Sequence, residues 1–216
     1  MINNERINAL ISRHKELEAC RNSVAEVYRA LEKCFANGGK LLVAGNGGSG
    51  ADADHIVGEL MKGFARTRVL GMEDALSLTR AHARGADIAE HLQGGLPAIS
   101  LGAHSALVSA FINDVGGGED YVYAQQVWAY GVRGDVFLGI STSGNSLNII
   151  NAAITAKARG MTVLALTGMN GGELAKVCDV AIKVPEKETY LVQELHLPVY
   201  HCLCLMLEDR FFGGAK

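Results

Sequence analysis

The sequence predicts an α/β fold: a three-layer α-β-α sandwich around a five-stranded, mainly parallel sheet, with a long N-terminal helix in front. Three observations predict it. Short apolar runs alternate with stretches of helical period along the chain, as in a parallel sheet with helices on both faces. Glycine supplies 26 of 216 residues, above the usual ~7%, and the excess falls where strand runs give way to helical runs. Hydrophobic residues make up 49%, which is a globular composition. A chain of this length has room for one such domain with a sizeable core, so 1–216 is read as a single domain.

Residues 2–37 read as one long helix, because Ile7, Leu10, Ile11, Leu17, Val24, Val27, Leu31 and Phe35 recur at helical spacing and Asn37, Gly38 and Gly39 end the run. Such a helix must cover either the sheet or another subunit. Leu41, Leu42, Val43 and Ala44 form a buried strand between glycines. A loop of Gly45, Asn46, Gly47, Gly48, Ser49 and Gly50 follows, and Ser49 or Asp52 is placed to cap the next helix. Residues 66–97 are charged, with a helix expected over 73–93 that Gly85, Gly94 and Gly95 interrupt. They read as an insertion or lid near the site, against the plainer reading of a solvated connecting helix.

Residues 98–101 are a short second strand, followed by a helix to Ile112. Asn113 and Asp114 then open a glycine-rich loop, where such residues face ligands or simply favour a turn. A helix over 119–131 precedes the clearest central strand, 135–140, which runs into Ser141, Thr142, Ser143, Gly144, Asn145 and Ser146. Helices over 147–159 and 189–212 and strands at 161–166 and 180–184 complete the pattern. In such sheets ligands bind at the carboxyl ends of the strands, where the Gly45 and Ser141 loops both fall.

Net charge is −3 with scattered basic residues, which argues against a nucleic-acid partner. Residues 1–6 are polar and lead straight into a helical pattern, unlike a secretory signal. The most apolar stretch, 195–207, is interrupted by His196, Tyr200 and His201 and is too short to span a membrane. Cys20, Cys34, Cys178, Cys202 and Cys204 are odd in number and form no CxxC pair. They are expected to be reduced, mostly buried thiols in a cytoplasmic protein.

The Ser141–Ser146 loop puts three serines and a threonine at a strand end before a helix. Hydroxyls, backbone N–H groups and the helix dipole together suit a phosphate monoester. Helix capping would account for one or two of these hydroxyls, not four, and the absence of a lysine after the glycine sets it apart from a nucleotide P-loop. Gly45, Gly47 and Gly50 spell GxGxxG, but a dinucleotide site wants an acidic residue at the end of a second strand ~20 residues on. Glu73 and Asp74 follow only a poor strand. His55 and Glu59 share a helix face at metal-ligand spacing, which a structural hydrogen bond would also explain. Gln193, Glu194, His196 and His201 interrupt an otherwise apolar last helix, where buried polar groups need partners.

The segments GNGGSGADADHIVGEL, FIND, GISTSGNS, LTGMNGG and VQELHLPVYH, in this order and spacing, resemble the sedoheptulose-7-phosphate (phosphoheptose) isomerases of the sugar-isomerase (SIS) domain family. The resemblance covers nearly all of the chain outside 66–97. It implies conversion of a ketose 7-phosphate to D-glycero-D-manno-heptose 7-phosphate by a cytoplasmic, zinc-binding homotetramer with active sites between subunits. By resemblance the metal ligands are His55, Glu59, Gln193 and His201. The substrate contacts so implied are Asn46, Gly47, Gly48, Glu59, Asn113, Asp114, Ser141, Thr142, Ser143, Ser146 and Gln193. Glu59 matches the general base and His201 the general acid.

These residue types suit the chemistry. Aldose–ketose isomerisation moves one proton between adjacent carbons, which a carboxylate can carry while an imidazole shuttles a proton between the neighbouring oxygens. On a straight helix Gln193 and His201 stand ~12 Å apart, so one ion could join them only if the helix begins irregularly or if ligands combine across subunits. The chain departs from the family pattern in its longer 66–97 segment, in Leu191 where an arginine is usual, and in Ile112 where a small polar residue is usual. These departures leave room for another ketose phosphate as substrate. The rival reading is a non-catalytic SIS module that binds sugar phosphate or a protein partner, a branch in which the residues matching Glu59 and His201 are usually lost.

Overall fold

The N-terminal apolar period is carried by two helices and a tighter turn, not by one long helix. The structure, a computed structural model, describes residues 4–214, so residues 2 and 3 of the expected helix, and both ends of the expected 1–216 domain, lie outside the described residues. Helix α1 is Asn4–Arg13, Lys15–Cys20 is wound as a 3-10 helix, and α2 is Arg21–Ala36. The break falls at His14, whose φ of −130° and ψ of 76° are not helical. A straight helix over this stretch would run ~50 Å, beyond the ~30 Å of a small domain. Folding back lets Ile7 and Leu10 of α1, Leu17 of the turn, and Val24, Val27 and Leu31 of α2 share one core. The segment therefore covers its own domain.

The strands are β1 (Leu41–Gly45), β2 (Ala98–Ser100), β3 (Val136–Ser141), β4 (Thr162–Thr167) and β5 (Val180–Lys183). They lie in the order β2-β1-β3-β4-β5, and every neighbouring pair is parallel. The helices between and after them are α3 (Gly48–Met61), α4 (Met72–Ala81), α5 (Gly85–His91), α6 (Ser105–Asp114), α7 (Gly118–Tyr130), α8 (Leu147–Ala158), α9 (Leu174–Val177) and α10 (Thr189–Phe212). Side chains alternate across a strand. Leu41, Val43, Leu138, Ile140 and Leu164 thus enter the core under α1, α2, α3 and α10. Leu42, Ala44, Phe137, Val163 and Ala165 enter the other core, under α7 and α8. This is the three-layer sandwich that the alternating pattern predicts.

The charged segment at 66–97 is also two helices where one was expected. α4 and α5 fold against each other, and a Cβ at Gly85 would overlap the Leu78 carbonyl, so the turn needs glycine there. No residue of α4 is buried. The neck of this hairpin is fastened by an isolated antiparallel bridge between Val69 and Gln93 and by the Gly94 N–H donating to the Arg68 carbonyl at 2.8 Å. The Leu96 N–H donates to the Leu60 carbonyl at 2.9 Å. The neck of the hairpin therefore stands beside the far end of α3.

Candidate active site

The Gly45 loop is shorter than expected, because α3 starts at Gly48 and swallows most of it. Gly47 is the N-cap, with φ 55°, and neither Ser49 nor Asp52 caps the helix. A Cβ at Gly45 would run into the Ser49 backbone, so the turn from β1 into α3 requires glycine. Asn46, Gly47 and Gly48 are all exposed at this turn. The Ser141 loop lies alongside. Asn46 and Asn148 exchange side-chain amide hydrogen bonds at 2.9 and 3.0 Å, which ties the end of β1 to the start of α8. Nothing in the glycine and serine motifs singles out Asn148, whose partner is 102 residues away.

Within the serine loop, Ser141 Oγ and Ser146 Oγ lie 3.1 Å apart, and the Asn145 N–H donates to Ser143 Oγ at 3.1 Å. Ser146 is the N-cap of α8 but makes no side-chain capping bond. Capping thus does not account for its hydroxyl. Gly144, at φ 68°, has its Cα hydrogen against the Gly171 carbonyl, where a Cβ would clash. Asn113 and Asp114 form the last turn of α6 instead of a loop. Both are exposed, and Asn113 donates to the Asp114 carboxylate at 3.0 Å. Among the described residues neither is hydrogen-bonded to the two loops.

A second cluster lies between α3 and α10, which run side by side in the same direction. Near their starts, the Gln193 side chain rests on Gly48, where a Cβ would come within 2.6 Å of Nε2. Farther along, His55 Nε2 faces Glu59 Oε1 at 3.3 Å. The His201 ring packs edge-on to His55 with centroids 5.0 Å apart, and against Phe64 at 5.3 Å. Glu59 is buried to 9% exposure, with Lys62 Nζ 3.4 Å from its Oε2. His201 Nε2 is buried and has no hydrogen-bond partner. Burial, with help from the neighbouring His55, holds the His201 pKa below its ordinary value, against the opposing pull of Glu59.

Two polar residues that the motifs contain but to which they give no role in the site complete this cluster. The Tyr200 hydroxyl lies 2.9 Å from His55 Nδ1 and donates to Asp52 Oδ1 at 3.2 Å. Burial raises the pKa of both Asp52 and Tyr200. Arg68, outside the motifs and fully buried, donates to Glu208 at 2.9 Å and to the carbonyls of Leu60 and Glu59 at 2.7 and 2.8 Å. It lies in the segment that reads as an insertion or lid or, more plainly, as a solvated connecting helix, so only its tertiary partners reveal it.

The expected zinc ligands are only partly gathered. The 3.3 Å between His55 Nε2 and Glu59 Oε1 suits two ligands of a tetrahedral ion with bonds of ~2.0–2.2 Å, and the open Nε2 of His201 is a ring contact away. Gln193 is not with them. α10 is helical from Thr189 onward, with Pro198 inside it, so eight residues of helix still put Gln193 and His201 ~12 Å apart along the axis, and an irregular helix start does not close that gap. Among the described residues, no group of three or more His, Cys, Asp or Glu side chains is placed to hold a metal within one chain. The donor pair fits zinc; the four-ligand set is not assembled in a single copy.

Residues 95–168, from the approach to β2 through the serine loop to the end of β4, match the SIS domain family. A phosphoheptose isomerase of Aneurinibacillus thermoaerophilus is 39% identical over 178 residues, 82% of this chain and 76% of that protein. One from Burkholderia pseudomallei (strain K96243) is 37% identical over 93% of this chain and 98% of its own length. Among solved structures, the phosphoheptose isomerase of Francisella tularensis superposes with a TM-score of 0.74 at 31% identity, covering 97% of this chain and 100% of that one. That of Neisseria gonorrhoeae gives a TM-score of 0.71 at 33% identity, covering 95% and 94%. The chain belongs to the phosphoheptose isomerase family of SIS-domain proteins.

Proposed function

We propose that this chain interconverts a phosphorylated ketose and aldose, taking sedoheptulose 7-phosphate to D-glycero-D-manno-heptose 7-phosphate. The observation that carries the reading is that the His55 ring meets both the buried Glu59 carboxylate and the ring of His201, whose buried Nε2 has no hydrogen-bond partner, which sets a base and an acid on either side of one histidine. Glu59 removes a proton from C1 of the ketose and returns it to C2. His201, held neutral by burial, donates to the C2 oxygen as the enediol forms and receives the proton of the C1 hydroxyl as the aldehyde forms. A zinc ion bound by His55, Glu59 and His201, with a Gln193 brought in from another copy, would polarise the carbonyl and stabilise the enediolate charge. Ser141, Thr142, Ser143 and Ser146 hold the phosphate at the N-terminus of α8, while Asn46, Gly47, Gly48, Asn113 and Asp114 line the sugar, so that remote binding positions the reacting carbons.

Eleven residues of α3 separate Gly48 from Glu59, roughly 16 Å of helix. A seven-carbon chain does not comfortably span that distance with its phosphate in the serine loop of the same copy. This supports a homotetramer in which the loops of one subunit face the Glu59 cluster of another, assembled in the cytoplasm. Among the described residues no helix is long and apolar enough to cross a membrane. The test is a turnover screen over ketose phosphates of five to seven carbons, with their unphosphorylated counterparts, with and without zinc. Turnover of the seven-carbon phosphate is expected; no turnover on any sugar phosphate would favour a non-catalytic binding module.

A further inference from the structure

We propose that Tyr200 is a positioning residue that, braced by Asp52, sets which nitrogen of His55 is free to act. The Tyr200 hydroxyl has one hydrogen and two neighbours, Asp52 Oδ1 at 3.2 Å and His55 Nδ1 at 2.9 Å. A carboxylate only accepts hydrogen bonds, so the hydrogen goes to Asp52. The phenolic oxygen can then only accept, and its donor is a protonated His55 Nδ1. That assigns the proton of the ring and leaves Nε2 pointing its lone pair at Glu59 Oε1, 3.3 Å away.

The geometry around the chain of bonds is rigid. Tyr200 is 2% exposed, and its ring meets the His55 ring edge-on at 5.5 Å. Asp52 sits one turn before His55 on α3, while Tyr200 comes from α10, so the relay also crosses from helix to helix. Two lone pairs facing each other at that spacing repel unless a proton or a cation lies between them. By accepting the Nδ1 hydrogen, Tyr200 leaves none on Nε2 for a hydrogen bond to Glu59, and keeps both atoms free for a proton or a cation. A histidine that ligates metal through one nitrogen commonly donates its other N–H to an oxygen, which fixes ring and tautomer. Here a tyrosine supplies that oxygen and an aspartate orients the tyrosine. The consequence for zinc rests on the reading of His55 as a ligand given above; the assignment of the proton does not.

The test uses the full chain labelled with 15N-histidine and free of metal, with the His55 signal assigned by comparison with His55→Gln. The parent is expected to carry its proton on Nδ1. In Tyr200→Phe the acceptor is gone, and in Asp52→Asn the amide can donate to the phenolic oxygen and release its hydrogen towards His55. Both should move the His55 proton from Nδ1 towards Nε2. Zinc titration in competition with a chelator should show ~10–100-fold weaker binding in both variants. A bare Nδ1 in the parent, or an unchanged proton position in both variants, would overturn the proposal. If Tyr200→Phe fails to fold, Asp52→Asn alone decides it. A parent that takes up no zinc sinks the metal reading, and the nitrogen signals still settle the relay.

Discussion

At the scale of single residues, the site depends on what each side chain is denied. Glu59 and His201 both meet the His55 ring yet make no hydrogen bond to each other, which is how a base and an acid stay available. Glu59→Gln and His201→Ala should each lower kcat by ~10²–10⁴, with unfolding midpoints close to the parent; a variant with most of its turnover left would remove that residue from the mechanism. His55 and Glu59 were legible in the sequence because four-residue spacing puts two side chains on one helix face. Asp52, Tyr200 and Asn148 were not, because their roles depend on partners more than a hundred positions away. His196 is fully buried, with the Thr167 backbone as the one polar group that favours its charged form. Burial pushes its pKa from 6.5 down to about 4, opposed in part by the backbone of Thr167. Its folded pKa lies below its unfolded one, so between those values the unfolded chain takes up a proton that the folded chain refuses. Stability falls as pH drops through that window and levels off below it. From pH 7 to pH 5 this histidine alone should cost about 2 kcal/mol. Urea unfolding at the two pH values should show that much less acid sensitivity in His196→Leu than in the parent.

At the scale of elements, α3 and α10 are matched along their length. Gly48 meets Gln193, His55 meets Tyr200 and His201, and the last carbonyls of α3 meet Arg68, itself paired with Glu208. Arg68 closes the end of α3, and Glu208 also accepts the Phe64 and Ala65 N–H groups at 2.8 and 2.9 Å. Burial alone would raise the Glu208 pKa; these donors and Arg68 overcome it and hold the carboxyl below its ordinary value. Removing one partner strands a buried charge, at about 3–5 kcal/mol. Arg68→Met should lose about that much in chemical denaturation, and Arg68→Met with Glu208→Gln should recover part of it. A double variant no better than the single would mean that the pair is not what holds the helix end. The bounds of α10 were legible because its apolar pattern is continuous and a glycine follows it. The N-terminal break at His14 was not, because a 3-10 turn keeps nearly the same spacing of apolar residues as the helix it interrupts.

At the scale of the whole molecule, the sheet order and its two faces follow from the alternation of strand and helix, and this was the most legible feature of all. The outer face of the α7 and α8 layer carries exposed apolar side chains that the sequence does not single out. Tyr121 and Trp128 on α7 and Leu147 and Ile154 on α8 are exposed at seven-residue intervals, Trp128 to 57%. Large exposed apolar patches mark interaction surfaces in general, so this face is the one to test for the proposed assembly. Light scattering after size exclusion should give a tetramer, and Trp128→Asp should shift it to smaller species; a parent monomer would contradict the shared-site reading. The narrow neck of the α4–α5 hairpin has a different consequence. The chain leaves and re-enters the domain at almost the same point, through Val69 and Gln93, and what lies beyond contributes almost nothing to either core. The hairpin is in effect a graft on a stem. Replacing residues 70–92 with a short turn should leave the thermal midpoint within a few degrees of the parent, and the same stem should accept unrelated cargo.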